Sequence, residues 1–245
     1  MKKNNIFNEL IVLDLANNHF GDISFAKKIV NSFGKIIRKH KLRSTIKFQF
    51  RDLPNFIHQD FINSDIPYVR RFLDTKMSDE KFLSLYKCIK KNKIKTSCTP
   101  FDEKSVDKIE KFKFDYIKVA SVSALDFNLH ERIIKNKIPK IISTGGININ
   151  DIDKIVSFYS KKRQNFGLMH CVSIYPTKNI DLNLRFIENL KKRYGNINIG
   201  WSTHEDPNEF LPAALALSKG ASMFEKHIGL KGSRYKLNKY SITPE

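Results

Sequence analysis

Two lysines sit where lysines are hard to place. Lys47 lies inside the apolar run IKFQF and Lys118 inside YIKVAS, and an ammonium buried in such a run needs an anion beside it. Other polar residues recur at the ends of short apolar runs. They are Asp14, Asn17, Asn18 and His19, then Gln49, then Ser97 and Thr99, then Ser121, then Ser143 and Thr144. Further along come His170, Ser173 and Tyr175, then Ser202 and His204, then Glu225, Lys226 and His227. Taken singly they have ordinary explanations: a Ser or Thr after a strand usually makes a turn or caps a helix. Two lysines and several hydroxyls converging on one point would instead make a pocket for phosphate or carboxylate. His204 and His227 come from neighbouring runs. They could share one divalent metal, with water or substrate completing the shell.

Convergence requires elements that bring these ends together. The apolar runs are short: 9–16, 44–50, 94–98, 115–121, 140–144, 166–171, 197–202 and 221–228. Helical patterns lie between them. FDEKSVDKIEKF has Asp102 placed as an N-cap, NINDIDKIVSFYSKK has Asn150 or Asp151 near its start, and DPNEFLPAALALSKG stops at Gly220. Eight strand–helix units in 245 residues predict an α/β chain folded as a single-domain (β/α)8 TIM barrel, spanning 1–245 with no second domain. In such a barrel the carboxyl ends of the strands form the active face. Residues 51–77, with Pro54, Pro67 and several aromatics, break the alternation and read as a long loop after the second strand, a usual place for a lid.

Composition excludes several classes. The chain carries 44 Lys+Arg against 25 Asp+Glu, a net +19, which fits an anionic partner. The lysines are spread over most of the helical patterns rather than clustered among exposed aromatics, so a nucleic-acid face is not expected. No apolar run is long enough to span a membrane and the basic start has no apolar signal core, so no membrane partner is expected and the cytoplasm is the expected location. Cys88, Cys98 and Cys171 have neither metal nor disulfide spacing, as in a reducing compartment.

The motifs in series are LANNHFGD, IKFQF, TSCTPFDEKSVD, DYIKVAS, PKIISTGG, LMHCVSIYPT, INIGWSTHE, GASMFEKHIGL and KYSITPE. In order and spacing the chain resembles the catalytic barrel of the sialic acid synthase family, which includes the N-acetylneuraminate, pseudaminate and legionaminate synthases. The resemblance implies condensation of phosphoenolpyruvate with the open aldehyde form of an N-acylated amino hexose. The products are a nonulosonic-type 2-keto-3-deoxy sugar acid and phosphate. It implies a divalent cofactor, Mn2+ or Mg2+, on His204 and His227. By motif, Lys47, Thr99, Lys118, Ser121, Ser143, Ser173 and Ser202 would bind phosphoenolpyruvate, and Tyr175 the sugar. Asp14 would act with Lys47 and Lys118 in catalysis, and Gln49 and Asn18 would line the substrate site.

The chain departs from the family pattern in four places. Asp14 stands where Glu is usual, and Ser121-Val122-Ser123 replaces Ser-x-Glu. Ser202-Thr203-His204 replaces Ser-Asp-His, and no acid precedes Lys239-Tyr240-Ser241. The antifreeze-like C-terminal domain of the family, which closes a partner's site in a dimer, is not expected here. That leaves a homodimer formed by another route or a separately encoded partner domain. The lost carboxylates also admit an alternative, a catalytically altered barrel that binds an anionic sugar or phosphoenolpyruvate as a partner or regulatory subunit.

Overall fold

A computed structural model describes residues 6–232 and 234–245. Eight parallel strands run in order: β1 Leu10–Asp14, β2 Ser44–Phe50, β3 Lys95–Pro100, β4 Tyr116–Val119, β5 Lys140–Ser143, β6 Phe166–Cys171, β7 Asn198–Ser202 and β8 Met223–Ile228. Each pairs with the next, and β1 closes on β8 with Asp14 opposite His227. This is the (β/α)8 barrel that the alternation predicts, with the helices outside.

Side-chain alternation along the strands explains why one sequence makes both a core and a polar mouth. Leu10, Val12, Tyr116, Ile141, Met169 and Met223 point inward and pack together, with Phe7 against them at the amino-terminal end. Two residues further along the same strands the inward positions become Asp14, Lys118, Ser143, Cys171 and Glu225. The outward positions, among them Leu13, Ile46, Phe48, Ile117, Ile142, Leu168 and Trp201, join the larger cluster that seats the helices.

The helices are α1 Ile23–Lys39, α2 Leu53–Phe56, α3 Pro67–Asp74, α4 Asp79–Lys91, α5 Glu103–Phe112, α6 Phe127–Ile133, α7 Ile149–Lys161, α8 Arg185–Arg193 and α9 Leu211–Ser218. Asp102 caps α5 as expected, its carboxylate accepting from the Ser105 N–H at 2.7 Å. The cap of α7 is Asn148, two residues before the expected start. Gly220, at φ +95°, follows α9. The segment 51–77, expected as a loop, holds α2, a 3-10 turn at Gln59–Phe61 and α3. Pro54 and Pro67 sit in the first turns of these two helices, where a fixed φ favours helix and no N–H is needed.

A ninth strand not anticipated from the sequence, β9 Ser241–Ile242, pairs with the end of β8, Ser241 opposite His227. It brings the KYSI segment to the barrel mouth. No helix among the described residues is long and apolar enough to cross a membrane. Cys98 and Cys171 are buried and all three cysteines are free.

Candidate active site

The anion that Lys47 requires is supplied by the chain itself. Its ammonium lies 3.0 Å from Asp14 Oδ2 and 3.1 Å from Glu225 Oε1. Lys118, on β4, donates to Ser143 Oγ at 2.6 Å and to the Val119 carbonyl at 3.2 Å, and stands 3.7 Å from Glu225 Oε1. Glu225 thus bridges both lysines and also accepts from Ser202 Oγ at 3.0 Å. All four ionic groups are almost fully buried, so their mutual attraction is weakly screened.

The two lysines are not equivalent. Burial works to lower the Lys47 ammonium, but the Asp14 and Glu225 carboxylates outweigh it and hold it above the ordinary lysine range. For Lys118 burial wins: with one more distant carboxylate and Lys47 nearby, its affinity for a proton falls below the ordinary range. Glu225 would be pushed up by burial, yet the two lysines keep it well below the usual carboxylate range. Lys118 is therefore the under-compensated cation, the one that gains most from an added anion.

Hydroxyls surround this centre. Thr99, inward on β3, is buried and its Oγ1 has no partner among the described residues, and the same holds for Ser97 Oγ. Ser121 Oγ accepts the Gly145 N–H at 3.0 Å. A methyl on Gly145 would come within 2.5 Å of Ser173 Oγ and 2.8 Å of Ser121 Oγ, so glycine there lets both hydroxyls close on the backbone. Cys171 faces the same space, but burial raises its thiol, which argues against a thiolate nucleophile.

Asp14 Oδ2 also accepts from Gln49 Nε2 at 3.2 Å, and Oδ1 accepts from the Ala16 N–H at 2.9 Å. The Asn18 amide is engaged by protein. It donates to the Ile228 carbonyl at 2.8 Å and to Ser241 Oγ at 3.0 Å, and accepts from Asn238 Nδ2 at 3.2 Å. Asn18 therefore fastens β9 over the mouth, with both amide N–H groups engaged and one acceptor position of its oxygen still open. Tyr175 is 53% exposed at the rim, its ring 4.0 Å from that of His204.

His204 and His227 face each other with ring centroids 5.3 Å apart. His204 Nδ1 lies 3.3 Å from the Val172 carbonyl, which fixes the proton on Nδ1 and leaves Nε2 as the lone-pair nitrogen. His227 Nε2 is 3.6 Å from Asp14 Oδ2, and its Nδ1 is buried without a partner. Burial, aided by His227, lowers His204 to about 3, and burial lowers His227 as well. Two neutral imidazoles, one with an orphaned nitrogen, fit a divalent cation. No group of three or more His, Cys, Asp or Glu is arranged for a metal among the described residues, so a cation bound by these two histidines would need water or substrate in its shell.

Two participants were not assigned a role from sequence. Glu225 shows in the EKH motif, but nothing in the spacing reveals that it bridges two lysines from β2 and β4. Tyr240 arrives on the turn before β9, its ring 5.1 Å from His227 and 5.5 Å from Tyr175. Its only sequence signal is the KYSI stretch.

The NeuB family profile matches residues 41–244. The chain belongs to the NeuB family. Within it, the chain is 29% identical over 234 residues to the N-acetylneuraminate-9-phosphate synthase of Drosophila melanogaster, covering 91% of this chain and 61% of that protein. It is 29% identical over 233 residues to the N,N'-diacetyllegionaminic acid synthase of Campylobacter jejuni, covering 90% of this chain and 67% of that one. Among solved structures, a Chromobacterium violaceum protein provisionally assigned as spore coat polysaccharide biosynthesis protein E superposes with a TM-score of 0.94 at 39% identity, over 96% of this chain and 70% of that chain. The chain thus spans about three fifths to two thirds of the two synthases.

Proposed function

We propose that this barrel condenses phosphoenolpyruvate with an aldehyde sugar of the N-acylated amino hexose class, giving a nonulosonic-type 2-keto-3-deoxy acid and phosphate. The observation that carries the reading is Lys118: a buried, under-compensated ammonium hydrogen-bonded to Ser143 in a ring of hydroxyls. Phosphoenolpyruvate carries about three negative charges near neutral pH, and a paired lysine centre lined by hydroxyl donors is what such a ligand requires.

Lys118 and Lys47 hold the phosphate and carboxylate, Thr99, Ser121, Ser143 and Ser173 donate to their oxygens, and Ser202 lines the same site with its hydroxyl turned to Glu225. The enol C3 forms a bond to the aldehyde carbon, and the aldehyde oxygen takes up a proton. Water adds at C2, and the tetrahedral carbon expels phosphate as the C2 carbonyl forms. Asp14, anchored by Lys47 and Gln49, is placed to accept a proton from that water or an acceptor hydroxyl. Tyr175 and Tyr240 wall the side of the mouth where the acceptor enters. A divalent ion such as Mn2+ or Mg2+, held by His204 and His227, supplies Lewis acidity to the aldehyde oxygen when bound.

The test is inorganic phosphate release from phosphoenolpyruvate with Mn2+ across a panel of aldoses and N-acylated hexosamines, repeated with Lys118→Ala. Acceptor-dependent release that Lys118→Ala abolishes is expected. A fully active Lys118→Ala would overturn the site. Phosphoenolpyruvate binding without release on any acceptor would favour the binding-subunit reading, which Ser121-Val122-Ser123 motivates by lacking the family's carboxylate.

A further inference from the structure

Arg51, immediately beyond β2, is a buried cation of another kind. Its guanidinium lies over three phenylalanine rings, 3.8 Å from the centroid of Phe101, 4.3 Å from Phe72 and 5.5 Å from Phe56. Among the described residues it makes one hydrogen bond, Nη2 to Gln49 Oε1 at 2.9 Å, and its buried Nε has no partner. No carboxylate lies within ion-pair distance of it among the described residues, whereas Lys47 has two. Burial lowers its proton affinity to about 10, which leaves it charged at neutral pH. Aromatic faces stabilise a guanidinium but satisfy none of its N–H donors, of which arginine has five.

Arg51 lines a cavity of about 300 Å³ between β2, α3 and the start of α5. Its charged lining is Arg51, Lys76, Lys104, Lys108, Asp52 and Asp79. Lys104 is neutralised by Asp52 at 2.8 Å and Lys108 by Asp79. Arg51 and Lys76 are left without an ion pair among the described residues, so the cavity has a net charge of about +2 by these pairings. Gln49 lines it as well, and connects it to the reaction centre: one end of its amide accepts from Arg51 and the other donates to Asp14.

We infer that this cavity receives an anionic group, phosphate or carboxylate, at the far end of the acceptor sugar, with Arg51 as the residue that selects it. The inference rests on the synthase reading above, because that reading makes the neighbouring mouth the place where the aldehyde reacts. Arg51, Phe72 and Lys76 bring part of the cavity lining from the 51–77 segment, the part of the chain that departs from the regular barrel alternation, and Gln49, Asp79, Lys104 and Lys108 supply the facing side. A planar fork held rigid by three rings is suited to an oxyanion that approaches in its plane. A neutral sugar would leave the Arg51 donors in the cavity unmatched.

The test measures binding by titration calorimetry with phosphoenolpyruvate present, alongside phosphate release. The probes are an N-acetylhexosamine, its 6-phosphate and the corresponding N-acetylhexosaminuronate. The charged forms are expected to bind at least about tenfold tighter than the neutral one, and Arg51→Gln to erase that preference by about 10- to 100-fold. Arg51→Lys, which keeps the charge and loses the fork, should fall between. The phosphate and carboxylate arms decide which anion the cavity takes. Equal affinity for charged and neutral forms, or a preference that survives Arg51→Gln in a protein with an unchanged melting temperature, overturns the inference and leaves the synthase reading intact. Arg51-dependent binding of the anion with no phosphate release from any probe overturns the synthase reading instead. Should Arg51→Gln fail to fold, Arg51→Lys and Lys76→Ala carry the test, and no loss of preference in either counts against the inference.

Discussion

Two cations, four residues apart in sequence, are buried by opposite means. Lys47 is surrounded by carboxylates from β1 and β8, with Lys118 and Ser202 completing a nearly neutral cluster. Arg51 has aromatic faces, one amide oxygen and a cavity. Breaking the first leaves charge uncompensated, while removing the second relieves it. The lesson is that burial alone does not say what a charged residue does; the identity of its neighbours does. In the first cluster the carboxylates hold the geometry and leave Lys118 as the member with room for an added anion; around Arg51 no carboxylate does so among the described residues.

The largest expected effect comes from Lys47→Met. It leaves Lys118, 3.7 Å from Glu225, as the one lysine beside Asp14 and Glu225, with only neutral donors from Gln49, the Ala16 N–H and Ser202 besides. A loss of about 3–5 kcal/mol in urea unfolding is expected. A change under about 1 kcal/mol would mean that the cluster is solvated and not the tight network described.

Next in size is a pH effect located in the amino-terminal loop rather than the ionic centre. Burial lowers His19 to about 4 from an ordinary 6.5, so the folded protein holds it neutral where the unfolded chain would protonate it. The unfolded state then binds more protons, and stability must fall as pH drops from about 6.5 toward 4, by up to about 1.4 kcal/mol per pH unit. His19→Gln should make that part of the profile shallower without flattening it, because His204 and His227 are lowered in the same direction. Glu225 has the opposite cause and a lower window: its depressed folded value adds stability above its unfolded value near 4.5, lost only as pH falls below that. A profile that is flat from pH 6.5 to 5 would remove the burial argument for His19.

Arg51→Met is the sharper half of the comparison. It keeps a flexible apolar stem among Phe56, Phe72 and Phe101 and removes the uncompensated charge, so unliganded stability should change by less than about 1 kcal/mol. A loss as large as that of Lys47→Met would make Arg51 a structural pin. The smallest effect belongs to the exposed pair Arg70–Asp74 at 3.2 Å on α3. Arg70→Ala should cost no more than about 0.5 kcal/mol by the same unfolding assay.

Much of the barrel was legible in the sequence, because buried parallel strands must be short and apolar and the helices between them carry their own stop and start signals. Asp102 and Gly220 mark helix ends by local chemistry alone. The segment 51–77 was not legible as helical, since two prolines there read equally well as breakers and as first-turn residues. Strand β9 escaped because two residues give no period to read; it exists only where β8 offers an open edge. At the mouth, the residue types were visible and their partners were not. Asn18 has the chemistry of a substrate contact, and only the fold shows that both of its amide N–H groups go to Ile228 and Ser241. Glu225 looked like one more polar strand residue until β2 and β4 brought both lysines to it.

What the sequence determined by itself was the alternation, the inward polar positions and the motif order, all of which depend on residues close together along the chain. Closure of β1 on β8 decided the rest. Asp14 and Glu225 are more than 200 positions apart, and only the barrel's shear puts them on one ammonium. Arg51 sits beside Gln49 and the aromatic segment that follows by local chain geometry, but that its charge has no ion pair among the described residues shows only in the folded structure. Pairing of charges is a property of distances in space, and those are set by strand register rather than by sequence spacing.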